Sequence, residues 1–379
     1  MKRVDLPLSK SVVARVAVMA AISGGVMPES GGSEDGEVVV KALTVTDGVV
    51  NVRSSGTAAR FAIAYYGSSE GVMVVDGSEQ LRQRPVGAIV DAMRRLGAKI
   101  EYMGESGRLP VRIEGCSEIG TEVEADAQES SQTISALMLI GARKGLRIRL
   151  RGDAVSSTYI DLTRMLMEKA GVEVRLKDDV IDVAKGVYLN LNPNGLQIDR
   201  DWSSAVFWYG MVAVGEEKEL LLKGLRMNSG QPDERAVELF ARLGVESKET
   251  PEGVMIQPFD KLGTNSVVNE DCKGCPDIVP VLVATLCRLE RRFNISGIQT
   301  LERKESRRGS VLVREMGKLG YRLGFDGENI WWNGEKCAVC GVADAADDHR
   351  IAMALLVAGA KLTNTECINK SYKEIWKNV

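Results

Sequence analysis

The distribution of apolar and polar residues along the chain predicts a repeated α/β unit. Apolar runs with helical spacing end in glycine and are followed by short β-rich runs, and glycine is the usual residue just after a helix. One series of such glycines comprises Gly97, Gly171, Gly244 and Gly320, and a second comprises Gly67, Gly141 and Gly215. Successive members lie 73 to 76 residues apart, so we expect a supersecondary unit of about 60–75 residues, built as strand–helix–strand–helix with additional strand.

The length of the chain predicts two domains. A chain of 379 residues is longer than one hydrophobic core ordinarily supports, and the repeats divide into halves just before residue 199. Residues 23–37 are rich in glycine and acidic residues, which predicts a surface loop. The last strand is expected to end at residues 369–372.

Composition and charge exclude several classes of protein. The hydrophobic fraction of 44% and the charged fraction of 27% are typical of a soluble globular protein. A net charge of −3 without a basic block gives no reason to expect nucleic-acid binding, and no apolar run is long enough to cross a bilayer. Arg15 interrupts the apolar stretch 12–22, which argues against a signal peptide. We therefore expect a cytoplasmic protein.

The cysteines predict free thiols rather than a metal centre. Seven cysteines, an odd number, in a large core-rich chain indicate a reducing compartment. Two CxxC pairs, Cys272/Cys275 and Cys337/Cys340, have 61 residues between them, whereas a zinc ribbon places its pairs about 15–20 residues apart. No phosphate-binding loop, dinucleotide fingerprint or metal-ligand cluster is present, so we expect no cofactor and no metal.

Several predicted helix starts carry cations or hydroxyl groups where acidic residues are usual. Arg350 follows the N-cap segment Asp347–Asp348, and a cation at that end of a helix is unfavourable unless an anion binds there. The other starts of this kind contain Lys10 and Arg15, Ser54–Arg60, Arg84–Pro85, Ser130–Thr133, Ser156–Tyr159 and Arg303–Arg308. For each of them, simple capping or a solvated ion pair is the alternative interpretation. Together they predict a ligand with more than one anionic group.

Other helix starts are interpreted differently. Gln231–Glu234 predicts an ordinary acidic helix start, and Pro85 suits the first position of its helix. Asp277 and Glu305 are the candidate proton carriers beside the cations. His349, the one histidine of the chain, is expected to be structural.

The order of these motifs resembles that of the 5-enolpyruvylshikimate-3-phosphate synthase family. The matching segments, which cover nearly the whole chain, are Pro7–Arg15, Ser54–Arg60, Arg82–Pro85, Ser130–Gln132, Ser156–Tyr159, Pro276–Asp277, Lys304–Arg308, Asp348–Met353 and Lys370–Lys373. Departures from the family pattern are Leu8, Ser54, Ser306–Arg307, Lys373 and a short segment 23–51. These departures put affinity and turnover in question more than the identity of the ligands.

The resemblance implies a fold and a reaction. It implies two domains, each made of three βαβαββ units around a pseudo-threefold axis, an inside-out α/β barrel. The first domain would be residues 9–199, on the shikimate 3-phosphate side, and the second residues 1–8 plus 200–379, on the phosphoenolpyruvate side, with hinges near 8–10 and 198–201. It also implies transfer of the enolpyruvyl group to the 5-hydroxyl of shikimate 3-phosphate by addition and elimination, in a monomer without cofactor.

The resemblance also implies roles for individual residues. Those expected to hold shikimate 3-phosphate are Lys10, Ser11, Arg15, Ser130, Ser131, Gln132, Ser156, Tyr159, Asp277 and Lys304. Those expected to hold phosphoenolpyruvate are Lys10, Gly56, Arg84, Gln132, Arg308, Arg350 and Lys370. Asp277 would take the hydroxyl proton, and Glu305 with Lys10 would handle the proton at the methylene carbon.

Two alternatives differ from this reading. The related UDP-N-acetylglucosamine enolpyruvyl transferase has the same fold but usually carries a cysteine near the Arg-Pro stretch, and Cys116 lies too far along the chain. The other alternative is a catalytically weak or dead anion-binding relative. Retention of Asp277, Glu305 and the cations argues against it.

Overall fold

The computed structural model describes residues 1–126, 130–152, 157–191, 196–259, 266–362 and 364–377. The chain forms two units. The split unit consists of Met1–Ser9 and Asp199–Val379, and the insert unit consists of Lys10–Ile198. The split unit begins with the strand β1 (Lys2–Asp5).

The insert unit contains helices and strands in alternation. Its helices are α1 (Lys10–Ser23), α2 (Glu34–Ala42), α3 (Gly56–Gly67), α4 (Glu79–Arg82), α5 (Gly87–Arg95), α6 (Ser131–Gly141) and α7 (Ser157–Lys169). Its strands are β2 (Gly48–Asn51), β3 (Gly71–Asp76), β4 (Lys99–Tyr102), β5 (Val111–Gly115), β6 (Glu122–Asp126), β7 (Leu146–Arg151), β8 (Val174–Lys177) and β9 (Val180–Val183).

The split unit follows the same alternation. Its helices are α8 (Trp202–Ala213), α9 (Ala236–Ala241), α10 (Val279–Arg288), α11 (Arg308–Lys318) and α12 (His349–Val357). Its remaining strands are β10 (Leu220–Lys223), β11 (Val245–Thr250), β12 (Gly253–Pro258), β13 (Val268–Asp271), β14 (Phe293–Ser296), β15 (Gly324–Phe325) and β16 (Ile330–Trp332). No helix of the described residues is both long and apolar enough to span a membrane.

Four sheets of the described residues share one topology. Their strand orders are β2-β3-β5-β4, β6-β7-β9-β8, β1-β10-β12-β11 and β13-β14-β16-β15. In each sheet the first two strands of the order are parallel, the third pairs antiparallel with the second, and the fourth pairs antiparallel with the third. Each sheet with its two helical connections is therefore one βαβαββ unit, and each half of the molecule contains two of them.

The third repeat of each half is shorter than expected. In the insert unit it comprises α1 and α2, and the described residues 24–47 form no strand. In the split unit it comprises α12 and one isolated bridge between Ala343 and Leu362. The short segment 23–51 leaves little chain for strands once α2 has formed, which explains the difference in the insert unit.

The glycines that gave the repeat have two different roles. Gly97 and Gly171 adopt positive φ angles of 110° and 88° just after a helix, as expected for a glycine that ends one. Gly141 instead lies in the last turn of α6, where a Cβ atom would be 2.9 Å from Cβ of Leu146. Close packing, and not the φ angle, requires glycine there.

The core of each unit surrounds helices that are apolar on nearly all sides. In the insert unit α6 is buried from Thr133 to Gly141, and in the split unit α10 is buried from Val279 to Cys287. A helix that is hydrophobic all round belongs in the interior. In α6 the first two residues, Ser131 and Gln132, are half-buried, and both belong to the predicted site.

Three local predictions were wrong. Residues 34–37 begin α2, because Ser33 caps the helix by accepting from the Gly36 N–H at 3.1 Å. Pro85 precedes the cap of α5, since the Val86 N–H is bonded to the Gly107 carbonyl at 2.8 Å.

The third error concerns the split unit. Lys370 ends a 3₁₀ helix, Glu366–Lys370, and not a strand. The N–H groups of Ile368 and Ser371 there bond to carbonyls three residues earlier, and Cys367 and Ile368 are buried. The helix start predicted at residues 231–234 is confirmed, because Gln231 is the N-cap and Asp233 and Glu234 lie in the first turn of a 3₁₀ helix, Pro232–Arg235, that α9 follows directly. Asp233 is the buried residue of that turn.

Candidate functional site

Arg308 is the centre of a buried ion-pair cluster in the split unit. It starts α11 and is 2% exposed. Its Nε donates to Asp348 at 2.8 Å, Nη1 to Asp277 at 2.8 Å and Nη2 to Glu305 at 2.5 Å. Burial by itself would lower the pKa of Arg308, but the three carboxylates outweigh it and raise that pKa. The guanidinium therefore stays charged and fixes three acidic side chains.

Asp348 connects this cluster to the start of α12. Its carboxylate is fully buried and accepts the Arg350 N–H at 2.9 Å as N-cap. It also accepts the Ser306 hydroxyl at 2.9 Å. The predicted N-cap is thus confirmed, and the same carboxylate orients Arg308.

Arg350 retains unused hydrogen-bonding capacity. It is 2% exposed, and its Nη1 donates to the Ser203 carbonyl at 2.9 Å. Its Nε and Nη2 are buried without a hydrogen-bond partner, and Nη2 lies 4.0 Å from Asp277. Burial by itself would lower the pKa of Arg350, but the nearby carboxylates, led by Asp277, raise it. A buried guanidinium with free N–H donors is a site for an anionic acceptor.

Asp233 is a buried acid that sequence reasoning interpreted as an ordinary helix start. It is 1% exposed and accepts a short hydrogen bond from the Ser203 hydroxyl. Burial and the nearby charge of Asp277 raise the pKa of Asp233 to about 6, with Arg350 opposing. Pro232 was the sequence signal for the helix start that contains Asp233, because proline suits the first turn of a helix. The pairing of Asp233 with Ser203 depends on tertiary packing and has no such signal.

Lys304 belongs to the same cluster, and Lys370 lies near it. The Lys304 ammonium is 3.2 Å from Asp277. Lys370 is 7% exposed. Burial and the charges of Asp347 and Asp348 raise the pKa of the Cys367 thiol to about 11 while Lys370 opposes them, so Lys370 lies within electrostatic range of this region.

Charges in the split-unit cluster nearly cancel. Three cations, Lys304, Arg308 and Arg350, meet three carboxylates, Asp277, Glu305 and Asp348. The sequence predicted a strongly cationic set of helix starts, and it missed the contributions of Asp348 and Asp233. The structure therefore offers directed N–H donors in this unit more than net positive charge.

Arg15 has a different environment in the insert unit. It lies on α1 and is 3% exposed. Its Nε donates to Thr163 at 2.7 Å and its Nη2 to Ser135 at 3.0 Å, and it also bonds the carbonyls of Ser11 and Tyr159 at 2.8 and 3.2 Å. Burial lowers the pKa of Arg15 to about 10. None of the carboxylates in the described part of the chain forms an ion pair with it.

A second arginine, Arg60, ties three helix starts of the insert unit together. Its Nη1 donates to the Gly56 carbonyl at 3.0 Å and to the Gln132 side chain at 3.1 Å, and its Nη2 donates to the Pro85 carbonyl at 2.8 Å. Gln132 in turn donates to Thr57 at 2.8 Å. Arg60 was noted in the sequence as a cation in an early turn, and its role as a tie between loops was not predicted.

Gly56 and Arg84 are in direct contact. A Cβ atom at Gly56 would lie 2.9 Å from Nη1 of Arg84 and 3.0 Å from Nη1 of Arg60. Arg84 is half-buried, and its Nε is buried without a hydrogen-bond partner. The structure thus brings Gly56, Arg84 and Gln132 together around Arg60.

The remaining predicted residues of the insert unit lie at helix starts. Lys10 begins α1, with its ammonium 3.3 Å from Asp35. Ser130 caps α6 and accepts the Gln132 N–H at 3.3 Å. Ser11, Ser131 and Tyr159 are half-buried in the first turns of α1, α6 and α7. Ser156 lies outside the described residues.

The cysteines form no disulfide, and the CxxC pairs differ from each other. Cys272 and Cys275 are buried, and the Cys272 thiol has a pKa raised far above its usual value by the hydrogen bond with Cys275 and by burial. Cys340 is exposed and Cys337 is half-buried. In the described part of the chain, no three Cys, His, Asp or Glu side chains are arranged to hold a metal ion.

Comparison with known proteins identifies the family. The family model described as EPSP synthase (3-phosphoshikimate 1-carboxyvinyltransferase) matches residues 31–379. A 3-phosphoshikimate 1-carboxyvinyltransferase of Bacteroides fragilis (strain YCH46) is 36% identical over 389 residues, covering 99% of this chain and 94% of that protein. The chain belongs to the EPSP synthase family. The resemblance seen in the sequence motifs is thereby confirmed.

More distant members and solved structures agree with this assignment. The EPSP synthase family member of Methanopyrus kandleri is 31% identical over 342 residues, covering 87% of this chain and 77% of that protein. The solved EPSP synthase of Acinetobacter baumannii has a TM-score of 0.71 at 19% identity, over 99% of this chain and 94% of that chain. The enolpyruvyl transferase NikO of Streptomyces tendae has a TM-score of 0.67 at 13% identity. The expected two-domain enolpyruvyl transferase fold is confirmed.

Proposed function

We propose that this chain transfers the enolpyruvyl group of phosphoenolpyruvate to the 5-hydroxyl of shikimate 3-phosphate and releases phosphate. The reaction is the one for which the relatives are named, and it lies on the shikimate pathway towards chorismate and the aromatic amino acids. The comparisons do not favour the UDP-N-acetylglucosamine reaction or an inactive binding protein. We place the enzyme in the cytoplasm, since an odd number of cysteines without disulfides is typical of a reducing compartment, and we take it to act as a monomer.

The observation that supports the proposal most directly is the buried guanidinium of Arg350. Two of its nitrogens have no hydrogen-bond partner although the residue is 2% exposed. Leaving buried donors unsatisfied costs about 1–3 kcal/mol each, and more for charged groups. An anionic substrate that accepts from these donors removes this cost. We assign phosphoenolpyruvate to this position, with Arg308 and Lys370 beside it.

The insert unit is assigned to shikimate 3-phosphate. Arg15 is a buried cation without a carboxylate partner among the described residues, and the helix starts around it present the hydroxyls of Ser11, Ser130 and Ser131. A buried charge requires a partner, and the ligand supplies the missing anion. Arg84 and Gln132, held against Gly56 by Arg60, are assigned to phosphoenolpyruvate, and Lys10 to both substrates.

The proton-transfer roles fall to residues that the cluster fixes in place. Asp277 is bonded to Arg308 and Lys304. These contacts fix the orientation of its carboxylate, which we assign to accept the 5-hydroxyl proton. Glu305 is bonded to the same guanidinium and, with Lys10, is assigned to proton transfer at the methylene carbon. We assign the stabilisation of the charge that develops on the tetrahedral adduct to the N–H donors of Arg350, which the protein already holds in place.

Phosphate release tests the proposal. The purified chain is supplied with phosphoenolpyruvate and shikimate 3-phosphate, and separately with phosphoenolpyruvate and UDP-N-acetylglucosamine. We expect release only with the first pair. Release with the UDP-sugar would support the related transferase, and the absence of release with either acceptor would support a binding protein.

A further inference from the structure

Two buried hydroxyl groups join the three helices to which shikimate 3-phosphate is assigned. Ser135 lies on α6, one turn after Ser131, and Thr163 lies on α7, one turn after Tyr159. Both side chains are fully buried. Their oxygens are 2.8 Å apart, and both accept from Arg15 on α1. The three helices therefore meet at one polar point inside an apolar core.

Both hydroxyl oxygens of this network accept from the Arg15 guanidinium. A hydroxyl has one donor and two acceptor positions. Thr163 Oγ1 accepts from Arg15 Nε at 2.7 Å and lies 2.8 Å both from the Tyr159 carbonyl and from Ser135 Oγ, the two acceptors available to its one proton. Ser135 Oγ accepts from Arg15 Nη2 at 3.0 Å. The two acceptors lie on different nitrogens of the guanidinium and so fix its orientation.

The network holds a charge that nothing in the described part of the insert unit neutralises. Arg308 in the split unit has three carboxylate partners, whereas Arg15 has only hydroxyl and carbonyl acceptors. Neutral acceptors orient a guanidinium without cancelling its charge. Such an arrangement keeps the positive charge available for an anionic ligand.

We infer that Ser135 and Thr163 are positioning residues that fix the Arg15 guanidinium, and through it the starts of α1, α6 and α7, for the anionic groups of shikimate 3-phosphate. This inference rests on the proposed function and adds two residues that neither the sequence motifs nor the family assignment indicated. The two hydroxyls touch no substrate themselves. They act through Arg15 and through the Tyr159 carbonyl.

Steady-state kinetics with two substrates tests the inference. Thr163→Val removes the hydroxyl at nearly constant shape, Thr163→Ser retains it, and Ser135→Ala removes the second acceptor. The matched control is Thr285→Val on α10, because Thr285 is also fully buried and makes the same hydrogen bond, 2.8 Å long, to a carbonyl four residues earlier, that of Val281. Among the described residues, no arginine donates to Thr285.

The expected result is a selective loss of affinity for one substrate. A hydrogen bond to a charged group contributes enough that its loss changes affinity about tenfold or more, so Thr163→Val should raise KM for shikimate 3-phosphate about tenfold. KM for phosphoenolpyruvate should change less than about twofold, and Thr163→Ser should restore the wild-type value. The double variant Ser135→Ala/Thr163→Val should lose less than the two single changes combined, because both act on one guanidinium.

Two outcomes would overturn the inference. One is an increase in KM for shikimate 3-phosphate that is no larger in Thr163→Val and Ser135→Ala than in Thr285→Val. The other is an equal rise in KM for both substrates. If Thr163→Val does not fold, Ser135→Ala and Thr163→Ser still decide the question. Failure of the proposed function is recognised separately, because wild-type protein would then release no phosphate.

Discussion

Replacement of Asp233 by Asn should change how the stability of the split unit depends on pH. Asp233 is buried beside Asp277 and Asp201, and only Arg350 and the Ser203 hydroxyl favour its charged form. Folding therefore raises the pKa of this carboxyl from 3.8 to about 6. The folded protein binds the proton more tightly than the unfolded chain, so the stability contributed by the protonated acid is lost as pH rises through this range.

The size of the effect follows from that change in pKa. One pKa unit corresponds to about 1.4 kcal/mol, so a rise from 3.8 to about 6 corresponds to about 3 kcal/mol. Below pH 4 both states carry the proton, and above pH 6 both lose it. The free energy of unfolding of Asp233→Asn, minus that of the wild type, should therefore increase by about 3 kcal/mol between these limits.

Tryptophan fluorescence in urea is a suitable assay. All five tryptophans are at positions 202, 208, 331, 332 and 376, within the split unit that contains Asp233. Their signal reports that unit even when the two units unfold separately. Denaturation curves at several pH values from 4 to 7.5 give the difference directly.

A matched variant of opposite sign makes the test sharper. Glu315 is also buried, and burial alone would raise its pKa, but hydrogen bonds from Lys318, the Asp344 N–H and Arg314 lower it. Glu315→Gln should therefore lose stability relative to the wild type as pH rises to about 4.5, the ordinary pKa of the carboxyl. Because this range lies below the one in which Asp233 acts, the curves of this variant are also measured below pH 4. A constant difference between Asp233→Asn and wild type across the pH range would refute the argument for Asp233.

Three further predictions concern catalysis. Arg350→Ala should raise KM for phosphoenolpyruvate about tenfold or more, because a charge-assisted contact is lost; the exposed Arg307, replaced by Ala, is the control, and an unchanged KM would remove Arg350 from the site. Glyphosate should compete with phosphoenolpyruvate. Gly56→Ala, whose Cβ would lie 2.9 Å from Arg84 Nη1, should weaken the binding of both the inhibitor and phosphoenolpyruvate. Equal inhibition of wild type and variant by millimolar glyphosate would contradict this. Asp277→Asn should lower kcat by about 10²–10⁴ with both substrates still bound in calorimetry, and full activity would exclude Asp277 as the base.

Much of the fold could be predicted from the sequence because the repeat appears as a regular spacing of residues. The helix-ending glycines recur at 73 to 76 residues, and the four sheets with one topology follow the same spacing. The third repeat of each half could not be predicted in this way. Its sheet is reduced, so no regular alternation of helices and strands marks it in the sequence. α2 in particular begins within a stretch of glycine and acidic residues. This composition predicted a loop, although Ser33 caps a helix there.

The candidate site was only partly readable for a different reason. Helix starts with unusual cations are local features, and Arg15, Arg60, Arg308 and Arg350 were all visible in the sequence. Their partners are distant in the chain: Arg15 bonds Thr163 across 148 residues and Arg308 bonds Asp348 across 40. Charge compensation therefore depends on tertiary packing, which a linear pattern does not encode.

The strand β1 gives this protein an unusual order of assembly during synthesis. Lys2 pairs with Leu220, so β1 meets its partner strand only after the whole of residues 10–198 has been made. At about 5–20 residues per second this wait is roughly 10–40 s. The sheet that contains β10 therefore cannot be completed until β1, which is made before the insert unit, pairs with it, and a substitution in β1 would destabilise a sheet whose other strands are made after the insert unit.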